Sequence, residues 1–268
     1  MTLLSAIKIL EDAGVLSPEY DAREIFRYAE NISHFALLKK DFDSKKAEPL
    51  IERRRCREPL GYIIGKVGFF REEYEVTPDV LIPRPDTEIL VEYATAHIPK
   101  GESFADLCTG SGCIAISTLK NTDNTHALAV DISEGALSVA RRNAKSNGVT
   151  DRITFLKRNL LTEEIPSDAP FYAILSNPPY VTEAEYKELS PEIAREPMGA
   201  FLGGEDGMIF YRRLLPLALP LIKPSGFIAF EIGAYQGRAI TELSETFSCN
   251  VEIIKDYSGL DRVAVIRK

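Results

Sequence analysis

Apolar segments alternate with helical patterns from about residue 103 to the end of this 268-residue chain, and this alternation restricts the possible folds most. Strands that alternate with helices are typical of a doubly wound, mostly parallel sheet. The segment between the last two predicted strands is too short for a helix, so we expect an antiparallel hairpin at one edge. The seven predicted strands are residues 103–107, 126–130, 152–156, 171–175, 226–232, 250–256 and 262–267.

The amino-terminal residues 1–60 carry helical patterns only. Leu3, Ile7 and Leu10 fall on one face of a helix, and similar apolar patterns recur in the segments that follow. Short polar connectors separate these segments. We therefore expect a small all-α bundle in this part of the chain.

Residues 61–85 are rich in Gly, Val, Ile, Tyr and Phe, which favours strands over helices. We expect a linking β-hairpin here, with arms at 67–70 and 74–76 and its turn at 71–73. The remaining residues, 86–268, form the domain of alternating strands and helices. Three parts are thus predicted: a bundle, a linker and a doubly wound domain.

Two prolines, Pro83 and Pro85, stiffen the connection between the linker and the next helix. Either Asp86 or Thr87 is suited to cap this helix, because both side chains can accept a hydrogen bond from a free backbone N–H. The helical pattern then continues to about residue 97.

Composition and charge restrict the possible partners. The formal net charge is -8, which disfavours a broad surface that follows phosphates. One basic run, residues 53–57, opposes this trend. We interpret it as a solvated helix face, and the alternative is a contact surface for an RNA-bearing partner.

The number and spacing of the cysteines indicate in which cellular compartment the protein works. The chain has four of them, without C-x-x-C pairing or a histidine cluster, so neither a disulfide framework nor a metal site is expected. No signal peptide and no membrane span is recognisable, and we expect a cytoplasmic protein without metal or membrane contacts.

The run Ser176-Asn177-Pro178-Pro179-Tyr180 follows a predicted buried strand. Neither proline can donate to a sheet, so the chain leaves the strand as a stiff, extended hook. Open α/β sheets bind ligands at the carboxyl ends of their strands. Carbonyl groups and an aromatic ring at this place suit a flat amide or amine, although the same sequence could be an ordinary exit from a strand.

A glycine-containing loop follows the first strand of the alternating region. Its residues are Cys108, Thr109, Gly110, Ser111 and Gly112. Glycines allow the backbone to approach a ligand, and the next helix directs its free amides towards it.

Acidic residues identify the ligand class expected at this loop. Asp106, just before the loop, suits a cationic amino or sulfonium group, and Asp131 at the end of the second strand can bind ribose hydroxyls. Asn159 and Leu160 follow the third strand, where an adenine would lie. Asn159 suits a hydrogen bond to the ring amine and Leu160 suits packing on the ring face, and the alternative is that both are ordinary loop residues. Because G-x-G-x-x-G is absent, we favour S-adenosylmethionine over a nicotinamide dinucleotide, and an α/β turn without a ligand is the remaining alternative.

Four strings occur together in this order: residues 81–88, 106–112, 176–180 and 203–207. In combination they resemble the bacterial protein-(glutamine-N5) methyltransferases that modify peptide-chain release factors. The resemblance extends over essentially the whole chain. It implies a Rossmann-like class I S-adenosylmethionine-dependent methyltransferase domain at 86–268.

The resemblance also implies a substrate and residue roles. The substrate would be the Gln of the Gly-Gly-Gln motif in class-1 release factors, which the bundle would help to dock. The hook residues Asn177, Pro178, Pro179 and Tyr180 would bind the glutamine amide, and Asn177, Pro178 and Tyr180 would be catalytic. The cofactor would contact Asp106, residues 108–112, Asp131, Asn159, Leu160 and Asn177.

Two positions depart from the family pattern. Cys108 replaces a glycine, which the position does not require if its φ angle is negative, but a side chain there would narrow the pocket. Asn159 stands where an aspartate is common, so the resemblance does not extend to its contact with adenine. Both departures concern the cofactor rather than the substrate amide.

Two other functions remain open from the sequence. Amino-methyltransferases of DNA adenine or cytosine and of ribosomal RNA guanine share the Asn-Pro-Pro-Tyr hook, but the net charge disfavours nucleic acid and no direct DNA binding is expected. A non-catalytic S-adenosylmethionine-binding protein is the second alternative. The intact hook, Asp106 and Asp131 argue against it.

Overall fold

The computed structural model describes residues 1–38, 43–166 and 170–268. Its amino-terminal part is helical, as expected, and packs around a core that includes Leu10 and Phe26. The helices are α1 (Leu3–Asp12), α2 (Pro18–Glu30), α3 (Glu48–Arg55) and α4 (Leu60–Ile64), with a 3-10 turn at His34–Leu38.

Helix α4 crosses the boundary expected near residue 61, so the first residues of the predicted linker are helical. Pro59 precedes the helix with an extended backbone, and Gly65 ends it with a φ of 80°. The β-forming residues Tyr62 and Ile63 are both buried here. Tertiary packing therefore overrides their local preference for a strand.

The predicted hairpin is present as β1 (Lys66–Phe69) and β2 (Glu72–Glu75), but the position of its turn is corrected. Phe69 pairs with Glu72, which leaves only two residues in the turn. Phe70 adopts a φ of 58°, and its N–H donates to the Glu88 carboxylate at 2.8 Å. No glycine or asparagine marks this turn, so the usual sequence signal is missing.

The expected seven-stranded sheet is confirmed, with strand order β5-β4-β3-β6-β7-β9-β8. The first five strands of this order are parallel to one another, and β9 is antiparallel to both β7 and β8. The strands are β3 (Ser103–Leu107), β4 (His126–Asp131), β5 (Ile153–Lys157), β6 (Phe171–Ser176), β7 (Ile222–Glu231), β8 (Asn250–Lys255) and β9 (Asp261–Arg267).

Helices cover both faces of this sheet and bury one apolar cluster on each side. The hairpin adds Tyr74 to one cluster, and the Tyr74 hydroxyl lies 2.6 Å from Ser117 Oγ. The helices are α5 (Glu88–His97), α6 (Cys113–Lys120), α7 (Glu134–Ser146), α8 (Glu183–Glu188), α9 (Ile209–Ala218) and α10 (Gly237–Glu245). Within the described residues, no helix is long and apolar enough to cross a membrane.

The expected cap of α5 is not formed. Residues Pro85–Thr87 make a 3-10 turn, and Thr87 occupies the cap position without a side-chain hydrogen bond to the helix. Its side chain is instead buried, with 2% of its surface exposed, and it contacts the end of β6.

The interpretation of the arginine run as a solvated face is wrong for two of its members. Arg54 is buried and donates to Asp21 and Glu192, and Arg57 donates twice to Glu192. The acidic chain thus supplies a buried partner, Asp21, and a half-buried partner, Glu192, for these cations. Arg53 and Arg55 pair with nearby glutamates on the surface.

Sheet register brings the ends of three strands together. Leu107 at the end of β3 pairs with Val130 of β4 on one side and with Ser176 of β6 on the other. Because these strands are parallel, the loops that follow them emerge at the same sheet edge. The loop after β3, the aspartate ending β4 and the hook after β6 are therefore neighbours.

Candidate active site

The loop after β3 makes a tight turn at the sheet edge. Gly112 has a φ of 83°, and a Cβ there would lie 2.9 Å from Ile116 Cδ1 and 3.2 Å from Ala140 Cβ. This glycine is therefore required for close packing against α7. Gly110 has a φ of 55°, and a Cβ there would meet no heavy atom within 4 Å, so this glycine faces open space.

Cys108 begins this loop with a φ of 60°. This value lies in the left-handed region, which explains why glycine suits the position and why a cysteine there is strained. Its side chain is half-buried and lines the pocket beside the loop. Burial raises the pKa of the thiol, which therefore stays protonated at neutral pH.

Asp106 supports the loop from behind. Its carboxylate is fully buried and accepts from Thr109 Oγ1 at 2.5 Å and from the Ala115 N–H at 3.2 Å. Burial raises its pKa to about 7. Ser111 is also buried, and its carbonyl accepts from Asn143 of α7. The structure places Asp106, Thr109, Ser111 and Gly112 behind the wall of the pocket rather than in it.

Asp131 lines the pocket directly. Its two carboxylate oxygens accept from the N–H groups of Gly110 and Ser133, each at 2.9 Å. Burial raises its pKa, and these backbone hydrogen bonds oppose the shift. A carboxylate has about four acceptor positions, so Asp131 can hold the loop and still accept ligand hydroxyls.

The pocket has a volume of about 310 Å³, at the lower end of the range for small-molecule sites. The loops after β3, β4 and β5 form one side, and Asn177 and Pro179 of the hook also line it. Other lining residues come from the linker, from the segment after α8 and from the start of α9, which sequence reasoning did not assign to the site. These further lining residues are Asp79, Val80, Leu81, Pro197, Gly199, Ala200 and Phe210.

Asn159 and Leu160 both line the pocket, as expected for the end of the third strand. The Asn159 side-chain oxygen already accepts from the Leu161 N–H at 3.1 Å. Its amide nitrogen therefore remains the better group for a ligand and would donate rather than accept. Leu160 is buried in the core beneath the pocket, with 4% of its surface exposed.

The hook is held at three points. Ser176 Oγ donates to the Leu107 carbonyl at 2.6 Å, which ties the end of β6 to β3. Asn177 Nδ2 donates to Thr87 Oγ1 at 3.3 Å. At the far end, the Tyr180 hydroxyl donates to Glu231 Oε1 at 3.3 Å. Pro178 and Pro179 between these anchors are buried.

A glycine loop, residues 203–207, packs against the backbone of the hook. A Cβ on Gly203 would lie 2.7 Å from the Tyr180 Cα. Gln236 joins the two segments, because its Nε2 donates to the carbonyls of both Tyr180 and Gly207. The string 203–207, which resembled the family without an evident role, thus supports the hook.

Sequence reasoning missed Thr87, Glu231 and Gln236 as parts of the site. Glu231 ends β7, adjacent to β6, and is 2% exposed. Its position at the carboxyl end of a central strand was the only available signal. Gln236 lies just before α10 and carried no signal of its own.

The chemistry of the lining favours a cationic nucleoside. Asp79 and Asp131 line the pocket together with the apolar residues Ile132 and Leu160. Arg158 also lines it, and its guanidinium lies 3.8 Å from the Glu163 carboxylate. Two acidic groups among apolar surfaces suit a ribose and a sulfonium or ammonium group, whereas a pyrophosphate requires donors.

Comparison with known proteins gives consistent results. A family model for the methyltransferase small domain matches residues 85–197. The release factor glutamine methyltransferase of Geobacter sulfurreducens is 39% identical over 216 residues, which cover 80% of this chain and 75% of that protein. The release factor glutamine methyltransferase of Rhodospirillum rubrum is 38% identical over 268 residues, which cover 97% and 82%.

Among solved structures, the ribosomal protein L11 methylase of Lactobacillus delbrueckii subsp. bulgaricus superposes with a TM-score of 0.53. It is 22% identical, and the match covers 72% of this chain and 83% of that chain. This likeness shows the fold alone.

Proposed function

The chain belongs to the family of release factor glutamine methyltransferases, and from this premise we propose its substrate and the roles of its site residues. The proposed reaction transfers a methyl group from S-adenosylmethionine to the side-chain amide nitrogen of glutamine. The glutamine is that of the Gly-Gly-Gln motif in class-1 peptide-chain release factors. S-adenosylmethionine supplies an electrophilic methyl group on a positively charged sulfur when it is bound.

One observation carries the proposal: the hook amide opens into the pocket that suits a cationic nucleoside. Asn177 and Pro179 line the same cavity as Asp131 and Leu160. Asn177 donates through Nδ2 to Thr87, so its Oδ1 remains available to accept. A carboxamide acceptor beside a methyl-donor pocket is the arrangement that amide methylation needs.

The chemistry of amide methylation explains why the proposed site uses hydrogen-bond acceptors. A carboxamide nitrogen is a poor nucleophile, because its lone pair is delocalised into the carbonyl group. We assign Asn177 Oδ1 and the Pro178 carbonyl as acceptors of the two N–H groups of the substrate amide. Acceptors so placed stabilise the positive charge that grows on nitrogen, and they also orient it. Pro179 and Tyr180 form the walls of this amide site.

We assign the cofactor to this pocket because its lining offers groups for both the ribose and the adenine. Asp131 keeps free acceptor sites for ribose hydroxyls, and Leu160 offers an apolar face for adenine. Cys108, Gly110 and Asn177 line the cavity and contact the bound cofactor. Asp106, Thr109, Ser111 and Gly112 act on the cofactor indirectly, because they hold the loop in place.

The competing function is methylation of nucleic acid amino groups, which uses the same hook. The net charge of -8 and the pairing of Arg54 and Arg57 with Glu192 disfavour a surface for phosphates. We therefore propose that the protein does not bind DNA directly. A non-catalytic role is disfavoured because hydrogen bonds hold Ser176, Asn177 and Tyr180 of the hook in place.

We also propose that the helical bundle contacts the release factor. In support, it presents exposed apolar side chains such as Leu16 and Phe35. The substitutions Leu16→Ser and Phe35→Ser should raise KM for the release factor and leave cofactor affinity unchanged. An unchanged KM would remove this role from that surface of the bundle.

We further propose that the protein acts in the cytoplasm. The four cysteines are all free, which fits a reducing compartment. Cell fractionation with an antibody against the chain tests this location, and recovery in an oxidising extracytoplasmic compartment would contradict it.

A methyl-transfer assay with labelled S-adenosylmethionine tests the main proposal. It should offer an unmethylated class-1 release factor, the same factor with its Gly-Gly-Gln glutamine changed to alanine, and bulk DNA and RNA. Label on the unaltered factor alone is the expected result. Label on nucleic acid would replace the proposal with the competing one, and equal labelling of both factors would exclude this glutamine as the target.

A further inference from the structure

The orientation of the Asn177 amide decides whether the hook can work. A carboxamide has an acceptor end and a donor end of almost the same shape, and a rotation of 180° about its last bond exchanges them. Only the orientation with Oδ1 towards the substrate offers an acceptor to the glutamine N–H. Something in the protein must therefore distinguish the two ends of this side chain.

Thr87 is the group that contacts the other end. Its hydroxyl lies 3.3 Å from Asn177 Nδ2, and the residue is 2% exposed, so water does not compete for this contact. A hydroxyl can both donate and accept, and by itself it would serve either orientation of the amide. The preference must come from the group to which the Thr87 proton is directed.

Glu231 is the acceptor beside Thr87. Its carboxylate is buried, and its Oε2 has no hydrogen-bond partner within the parts of the chain that the structure describes. The register of β6 and β7 pairs Ser176 with Phe230, which sets Glu231 beside Asn177, the residue that contacts Thr87. The Thr87 hydroxyl in turn lowers the pKa of the Glu231 carboxyl group. A buried acceptor without a donor is costly, and the Thr87 hydroxyl can rotate to direct its proton towards it.

The charge of Glu231 sets the direction of the whole chain of hydrogen bonds. A carboxylate can only accept, so the Thr87 hydroxyl has to donate to it. The hydroxyl oxygen is then left to accept from Asn177, which turns Nδ2 towards Thr87 and Oδ1 towards the pocket. The Tyr180 hydroxyl donates to the same carboxylate from the other end of the hook.

Several groups face Glu231 from the surrounding elements. Burial raises its pKa to about 7, while Thr87, Arg262 and Tyr180 oppose the shift and Asp86 adds to it. Arg262, on β9, lies 3.0 Å from Asp256 and 3.5 Å from Asp86, and its Nε has no partner among the described residues. The remaining groups around Glu231 are the Tyr211 hydroxyl of α9, which donates to its backbone carbonyl, and the Cys113 thiol of α6.

We propose that Glu231 is a positioning residue that acts through Thr87 on the orientation of the Asn177 amide, and that it also anchors the ring of Tyr180. This inference rests on the proposed function, because it assigns Asn177 Oδ1 to the substrate amide. Neither Thr87 nor Glu231 touches the substrate. Their effect on turnover comes from keeping one acceptor directed at the reacting nitrogen.

The first experiment removes the hydroxyl of Thr87 without changing its shape. Thr87→Val should lower kcat by about ten- to a hundredfold, because the amide loses its preferred orientation. Thr87→Ser keeps the hydroxyl and should restore kcat to within a few-fold of the parent. Affinity for S-adenosylmethionine, measured by calorimetry, should be nearly the same in all three proteins.

Thr118→Val is the matched control. Thr118 is a fully buried threonine of α6 whose hydroxyl has no hydrogen-bond partner among the described residues. The same chemical change at this place should leave kcat unaltered. The proposal is overturned if Thr87→Val behaves like Thr118→Val, or if Thr87→Ser is as slow as Thr87→Val.

The second experiment tests the charge of Glu231 through the pH dependence of kcat. In the parent, protonation gives the carboxyl group a proton to donate, so the direction of the hydrogen bonds is lost and kcat should fall below about pH 7. Glu231→Gln should be slow at every pH and should lose this limb of the profile. A variant that is slow but keeps the limb would assign the titration to another group and overturn this role for Glu231.

Asn177→Ala distinguishes a failure of the positioning role of Glu231 from a failure of the proposed function. If Asn177→Ala is nearly inactive while Thr87→Val and Glu231→Gln turn over normally, the positioning chain is wrong and the proposed function stands. If Asn177→Ala itself turns over normally, the proposed role of the hook fails first. Thermal unfolding of each variant identifies any loss of activity that is due to a loss of folded protein.

Discussion

Arg57 donates to both carboxylate oxygens of Glu192, through Nε at 2.6 Å and through Nη2 at 2.7 Å. This pair joins the helical bundle to the segment that follows the hook. Four residues later, Glu196 accepts from the Ile82 N–H and pairs with Arg84 of the linker. Pro197 and its neighbours then line the pocket. The bundle is therefore connected to one wall of the site by a short, ion-paired segment.

The ion pair between Arg57 and Glu192 makes part of the free energy of unfolding sensitive to acid. Burial alone would raise the pKa of Glu192, but hydrogen bonds from Arg57 and Arg54 outweigh it and lower the pKa to about 2, from a usual 4.5. The unfolded chain thus takes up this proton at a higher pH than the folded protein. The contribution, on the order of 3 kcal/mol, is present above about pH 4.5 and is lost as the pH falls towards 2.

Urea unfolding at a series of pH values checks this prediction. Glu192→Gln should lower the free energy of unfolding at neutral pH and flatten its decrease between pH 4.5 and 2. Glu188→Gln, at an exposed glutamate of the nearby helix α8, is the matched control and should retain the parental curve. Superimposable curves for Glu192→Gln and the parent would show that the pair contributes no stability.

Asn177→Ala should separate binding from turnover. Removing the side chain takes away one of the two proposed acceptors of the substrate amide, but only one of the many residues that line the cofactor pocket. We expect kcat to fall by about a hundred- to a thousandfold with little change in the Kd of S-adenosylmethionine. Steady-state kinetics and calorimetry measure the two quantities. Turnover within a few-fold of the parent would remove Asn177 from the reaction.

Asp131→Asn should weaken cofactor binding more than turnover, which is the opposite of the pattern expected for Asn177→Ala. The substitution keeps the shape of the side chain but replaces one acceptor oxygen with a donor group, which conflicts with the N–H of Gly110 or Ser133. We expect the Kd of S-adenosylmethionine to rise by about ten- to a hundredfold, as is usual for losing a hydrogen bond to a charged group. At saturating cofactor, kcat should recover most of the parental value. An unchanged Kd would exclude Asp131 from the cofactor site.

Cys108→Gly should be tolerated despite removing a partly buried side chain. The φ of 60° costs a cysteine roughly 1–2 kcal/mol, and a glycine avoids this strain at the expense of a more flexible unfolded chain. We expect the free energy of unfolding to change by less than about 1 kcal/mol. The matched substitution Cys113→Gly, within helix α6, gains no such relief and should destabilise by more. Equal losses at both positions would show that Cys108 is not strained.

Much of the fold could be predicted because its determinants are local. The apolar runs that form β3 to β9 are bounded by polar loops, and each predicted strand is found within a few residues of its expected place. The turn of the β1–β2 hairpin was misplaced because Phe70 adopts a positive φ without the residue types that announce one. Its conformation depends on a distant partner, the Glu88 carboxylate.

Only part of the site could be predicted from the sequence, because some of its contacts also join residues that are far apart in the chain. Residues on the strand ends, such as Asp131 and Asn177, could be assigned because a motif places them at the carboxyl edge of the sheet. Thr87 was expected to cap a helix, a role its residue type suits, but sheet register brings Asn177 next to it across 90 positions of the chain. The ionic partner of Arg57 is 135 positions away, and no local pattern indicates such a pairing.

The fixed backbone of the hook has a consequence for the partner. Tyr180 is held at its carbonyl by Gln236 and at its hydroxyl by Glu231, and the glycine at 203 leaves no space between the hook and the loop behind it. Because this part of the binding site is rigid, the peptide that binds to it has to adjust its own conformation. Two consecutive glycines before the target glutamine give a peptide that freedom, so under the proposed function the adaptation needed for docking falls to the release factor.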